Sequence, residues 1–112
     1  MRVAFTGHRD KSSDPVELAS MVQELGATLV IHGGAQGFDS QVAEVLSELP
    51  SEVLLPDYNS FGRSAPLVRN KQILELADCL VACWDGRRSG GTFYTINLAR
   101  KMGLPVRILS PR

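Results

Sequence analysis

Three stretches of this chain combine glycines with hydrogen-bond donors or a carboxylate, and each follows a short apolar run. They are Gly7-His8-Arg9 after VAFT, Gly33-Gly34-Ala35-Gln36-Gly37-Phe38-Asp39 after TLVIH, and Asp85-Gly86-Arg87-Arg88-Ser89-Gly90-Gly91-Thr92 after CLVACW. A glycine turn between a strand end and a helix start leaves backbone N–H groups exposed at the positive end of the helix dipole. That arrangement holds phosphate. Three such turns at one structural position predict a nucleotide site.

The turns differ in what they offer. In the first, glycine allows a ligand close to the backbone, and Arg9 has a planar fork for phosphate or carboxylate. Arg9 could equally pair with Asp10 or Asp14 on the surface. In the second, Gly33, Gly34, Ala35 and Gly37 have the composition of an anion-binding nest. Asp39 suits the start of the following helix, where it could accept from a backbone N–H or from a ribose hydroxyl. This stretch is neither a Walker loop nor the Gly-x-Gly-x-x-Gly dinucleotide fingerprint. The third turn sets Gly90, Gly91 and Thr92 at a helix start, with free N–H groups and a hydroxyl. Arg87 and Arg88 are either phosphate partners or a solvated loop.

Further candidates lie at 56–66 and beyond. Arg69 and Asn70 fall in the first turn of the next helix, where a cation is mildly unfavourable and invites a ligand or a carboxylate. Tyr58, Phe61 and Trp84 could stack on a base or fill the core. His8 and His32 both sit at strand ends, where a hydrogen-bonded structural histidine is the simpler reading.

The elements that must position these groups alternate regularly. Strands are expected at 2–6, 28–32, 52–55, 79–84 and 105–109. Helices are expected from Asp14-Pro15 to Gly26, at 38–48, at 67–76 and at 91–102, with 56–66 as a loop. Asp14 before Pro15 is a cap followed by proline at the first helical position, and Gly26 and Gly103 supply stops. Val16, Leu18, Ala19, Val22 and Leu25 read as the core stripe of the first helix. Phe38, Val42, Ala43, Val45, Leu46 and Leu49 read as that of the second. Five strands alternating with four helices imply an α/β fold, a Rossmann-like three-layer α/β/α sandwich on a five-stranded parallel sheet. Orders 3-2-1-4-5 and 2-1-3-4-5 are both open to such a sheet. The first is favoured, because it makes neighbours of strands 2, 1 and 4, whose ends carry the three turns.

Bulk composition narrows the function. The 112 residues read as a single domain over 1–112, large enough for a core without disulfides or a structural metal. Twelve basic and twelve acidic side chains cancel, so no overall field draws the chain to nucleic acid. No leader or membrane-spanning stretch is visible, and a cytoplasmic location is expected. The two cysteines, Cys79 and Cys83, would stand about 13 Å apart on one face of a strand, at ~3.3 Å per residue. Disulfide geometry needs roughly 7 Å or less, so they read as buried thiols. Neither a metal nor a cofactor is called for.

Taken together, Thr6-Gly7-His8-Arg9, His32-Gly33-Gly34-Ala35-Gln36-Gly37-Phe38-Asp39, Arg69-Asn70, Asp85-Gly86 and Gly90-Gly91-Thr92 resemble the SLOG superfamily. That group includes the Lonely Guy phosphoribohydrolases and DNA-processing protein A. The small stand-alone branch related to YspA and YpsA is the most similar in pattern. The resemblance implies a Rossmann-like fold, a site for a nucleotide or nucleotide-derived ligand, and a homodimer. It also matches Arg69 to an arginine used near the ligand.

It does not carry the catalytic group. Lonely Guy enzymes close the motif Pro-Gly-Gly-x-Gly-Thr-x-x-Glu with a glutamate, and Thr95 stands there in this chain. Threonine cannot act as a carboxylate in N-glycosidic cleavage. The expectation is therefore a module that senses or sequesters a nucleotide-like small molecule, with no membrane or nucleic-acid partner. The alternative is an N-glycoside hydrolase or transferase on nucleoside monophosphates, with Asp39, Asp85 or Asp10 as a substitute carboxylate.

Overall fold

A computed structural model describes residues 1–112. Its strands are β1 (Arg2–Gly7), β2 (Leu29–His32), β3 (Ser51–Val53), β4 (Cys79–Cys83) and β5 (Val106–Leu109). They form one sheet in the order β3-β2-β1-β4-β5. Every pairing is parallel. This is the order favoured from the clustering of the turns, and the fold is Rossmann-like.

Helices α1 (Pro15–Leu25) and α2 (Phe38–Val45) cover one face of the sheet, and α4 (Ala65–Leu76) and α5 (Gly90–Lys101) cover the other. The pleat sorts the core accordingly. Val3, Phe5, Val30, Cys79, Val81 and Cys83 pack toward Leu18, Val22, Phe38 and Val42. Ala4, Ile31, Leu80 and Ala82 pack toward Ile73, Leu74, Ile96 and Ala99. Strands buried on both faces need continuous apolar runs, which β1, β2 and β4 have. Both cysteines are free and buried on the first face, and burial pushes the Cys83 thiol up to about 11.

Local signals hold at α1. The Asp14 side chain accepts from Val16 N at 2.8 Å, Pro15 opens the helix, and Gly26 closes it in the left-handed region at φ 66°. Its buried stripe is narrower than expected, because Val16 is 75% exposed and Ala19 is also exposed. At about 100° per residue these two turn away from the Leu18–Val22 line. Ala43 leaves the stripe of α2 in the same way, and α2 ends at Val45 rather than near 48. The third strand lies one residue earlier and is shorter than expected, and its edge position leaves it exposed.

Residues 56–66 are not a plain loop. Asp57 accepts from Ser60 N at 3.1 Å and starts a one-turn helix, α3 (Tyr58–Phe61). A 3-10 turn over Gly62–Ser64 then leads into α4 at Ala65. Arg69 consequently falls in the second turn of α4 rather than the first. No helix is long and apolar enough to cross a membrane.

Candidate functional site

The parallel order brings the C-terminal ends of β1, β2 and β4 together, with Gly7 level with Cys83 across the β1–β4 pair. Above them lies a cavity of about 430 Å³. It is the crevice where open α/β sheets take ligands. Gly7, His8 and Arg9 line it from the first turn, Gly33, Ala35 and Asp39 from the second, and Gly90, Gly91 and Thr92 from the third. Arg69 and Asn70 of α4 line it too, as does Arg87. Gly34 faces a second, smaller hollow, and Gly37 lines neither. Asp85 lies outside both. Thr6 and Ser89, which belong to the quoted motifs but carried no proposed role, line the main cavity, and so does Pro66, which was not singled out. Nothing local marks Pro66.

The turns are built on one another. A Cβ on Gly7 would fall 2.5 Å from Phe38 Cβ and 2.7 Å from its ring, so glycine here admits the buried Phe38 rather than a ligand. Gly37, at φ 74°, lies against the His8–Arg9 backbone, where a Cβ would be 2.5 Å from the Arg9 carbonyl carbon. Phe38 N donates to the His8 carbonyl at 3.3 Å, which ties the second turn to the first.

The first three amides of the second turn are not free donors. Asp39 Oδ2 accepts from Gly33 N at 3.2 Å and Ala35 N at 3.3 Å. Gly34 N donates to His32 Nδ1 at 3.0 Å. The expected anion nest is thus filled by the protein's own carboxylate and imidazole. Asp39 is only 7% exposed, and its other oxygen, Oδ1, is buried with no hydrogen-bond partner. Burial raises its pKa above the ordinary 3.8, against the pull of the Ala35 and Gly33 amides, His32 and Arg69. Burial likewise lowers His32 below 6.5. The ring is neutral, with Nδ1 as acceptor and the proton on Nε2.

His8 is also a buried structural ring. Its Nε2 accepts from Asp85 N at 3.2 Å, which joins the first turn to the third. Burial lowers its pKa despite the nearby Asp85 carboxylate. Asp85 itself is gripped by Arg87, whose Nε lies 2.9 Å and Nη2 2.6 Å from Oδ2. The guanidinium holds the Asp85 carboxyl well below the usual carboxylate range. A strongly ionised carboxylate outside the cavity cannot supply a proton there.

The arginines divide sharply. Arg69 Nη1 donates to the carbonyls of Gly33 at 2.8 Å and Leu54 at 3.3 Å, and its Nε donates to Asn70 Oδ1 at 2.9 Å. It clamps the ends of β2 and β3. Arg87 is committed to Asp85. Arg9 is exposed and forms no hydrogen bond or ion pair within the protein, so it pairs with neither Asp10 nor Asp14. Arg9 is the uncommitted cation of the cavity.

The third turn keeps the donors at its helix end free. No side chain caps α5, and no hydrogen bond within the protein uses the amides of Gly90, Gly91 or Thr92. A Cβ on Gly90 or Gly91 would meet nothing within 4 Å. Thr95 is 2% exposed and turns back on its own helix, donating to the Gly91 carbonyl at 2.8 Å. Trp84 stacks on Phe93 with centroids 6.1 Å apart, and its Nε1 donates to the Arg87 carbonyl, so it braces the turn. No three His, Cys, Asp or Glu side chains gather where they could hold a metal ion.

Set beside known proteins, the chain matches no family model, no curated protein and no solved structure.

Proposed function

We propose that this domain binds a nucleotide or nucleotide-derived small molecule, to sense or sequester it, as its resemblance to the SLOG superfamily implies. One observation carries the reading: the unengaged amides of Gly90, Gly91 and Thr92 open onto a cavity of ligand size that also holds the uncommitted Arg9. Cavities of roughly 300–1,000 Å³ are the usual range for small ligands. An anion at the positive end of a helix, with a guanidinium opposite, is held by charge-assisted hydrogen bonds. Isothermal titration against AMP, GMP, CMP, UMP and ADP-ribose tests the proposal. Saturable binding without turnover is the expected outcome, and no heat of binding at millimolar concentration for any of them would sink it.

A second reading, cleavage of an N-glycosidic bond, is favoured by Asp39; of the other carboxylates named for it, Asp10 also lines the cavity but is exposed, and Asp85 lies outside. Its carboxyl reaches the cavity wall, has one unpartnered oxygen and holds its proton above the ordinary range. Those are features of a general acid. The two amide bonds to Oδ2 favour a structural role instead. Absence of free base after incubation with the same nucleotides removes this reading and leaves the first intact.

A further inference from the structure

Beside the main cavity lies a second hollow of about 300 Å³, and Arg9, Gly33, Ala35 and Arg69 line both. The two hollows adjoin as lobes on either side of these four residues. The lobes differ in chemistry. The first offers the α5 amides. The far wall of the second is Leu55, Pro56 and Tyr58. Leu55 is 70% exposed and Tyr58 56% exposed, so two large apolar side chains stand in water at the mouth of a polar cleft. Other exposed large side chains, such as Val16 and Met102, stand away from the cleft, whereas these two line it.

The wall is also held in place. Asp57 caps the short helix that carries Tyr58, and Gly62 N returns to the Tyr58 carbonyl. A Cβ on Gly34 would fall 3.0 Å from Val53 and 3.2 Å from Leu55, so the glycine turn lies directly against Leu55.

The geometry points to the second lobe as the seat of a nucleobase, stacked on Tyr58, with the phosphate at the α5 amides and Arg9 between them. This rests on the nucleotide reading above and adds where the base sits and which side chain holds it. An acyl chain would want a mostly apolar trough, but only three of the nine residues here are hydrophobic. A planar heterocycle has apolar faces for the tyrosine and leucine and polar edges for Gln36 and the exposed backbone of the turn.

Titration of AMP and ribose 5-phosphate into the full chain and into Tyr58→Ala and Tyr58→Phe separates the two claims. Base–aromatic stacking predicts that Tyr58→Ala weakens AMP about 5- to 20-fold, leaves ribose 5-phosphate unchanged, and is rescued by Tyr58→Phe. AMP binding equal in wild type and Tyr58→Ala overturns the base seat and spares the phosphate cradle. Equal loss for both ligands overturns it too, since a base contact cannot affect a ligand without a base. Failure of both ligands to bind the wild type overturns the base seat and the nucleotide reading together.

Discussion

Replacing Gly91 with aspartate should separate binding from folding in opposite directions. Gly91 lies in the first turn of α5, its own φ is not left-handed, and a Cβ there meets nothing within 4 Å. The side chain therefore enters without strain. Removing glycine from a helix and adding a carboxylate at its positive end each stabilise by a few tenths of a kcal/mol or more, about 0.5–1 kcal/mol together. For a domain of this size that raises Tm by about 2–4 °C. The same carboxylate faces any phosphate seated on the α5 amides. Two unit charges about 4 Å apart repel by about 4 kcal/mol at an effective dielectric near 20, and less where solvent screens them. A loss of about 2–4 kcal/mol weakens binding about 30- to 900-fold. Differential scanning fluorimetry and titration with AMP read the two effects on one preparation. Unchanged AMP affinity would refute the phosphate position, and a lowered Tm would refute the claim that the helix start is open.

Two further outcomes follow from the packing and the buried rings. Gly7→Ala should destabilise the fold by about 1–3 kcal/mol through overpacking against Phe38; an unchanged urea midpoint would contradict the close approach. Acid should destabilise the protein below pH 6.5, because burial lowers both His8 and His32 and the unfolded chain takes up protons that the folded one refuses. That stability is fully present above about 6.5 and falls as pH drops toward the folded values, by at most ~1.4 kcal/mol per pH unit for each ring. Asp39 works in the opposite sense, since its raised pKa favours the folded state at low pH. The pair His8→Gln and His32→Asn keeps both acceptors and cannot titrate, so its denaturation profile between pH 7 and 5 should be flatter than that of the wild type. Parallel profiles would show that other groups control the acid response.

Much of the architecture is written locally. The Asp14-Pro15 start, the Gly26 and Gly103 stops and the unbroken apolar runs of β1, β2 and β4 act over a few residues, so the elements emerge from the sequence. The clustering of the three glycine turns also favours the order β3-β2-β1-β4-β5 over 2-1-3-4-5, because it makes neighbours of the strands that carry them, and the structure has that order. Misplaced boundaries have local causes as well. The Asp57 cap inside 56–66 was read as loop, and Val16, Ala19 and Ala43 were counted in stripes whose direction depends on what the helix packs against.

What the sequence could not decide was which polar groups are spent. Gly33 and Ala35 looked like free donors, but Asp39 from the next turn of chain accepts from both. Arg69 and Arg87 looked like ligand groups. The first clamps a carbonyl 36 residues away, and the second neutralises Asp85. His8 answers to an amide 77 positions along the chain. A hydrogen bond depends on ångström-scale distances between segments that only the folded sheet brings together, and residue type alone does not contain them. The sequence by itself determined a Rossmann-like sheet with three glycine turns at one end. The tertiary structure decided that two of those turns are bound up in holding each other. It left the α5 amides and Arg9 among the groups still free to meet a ligand.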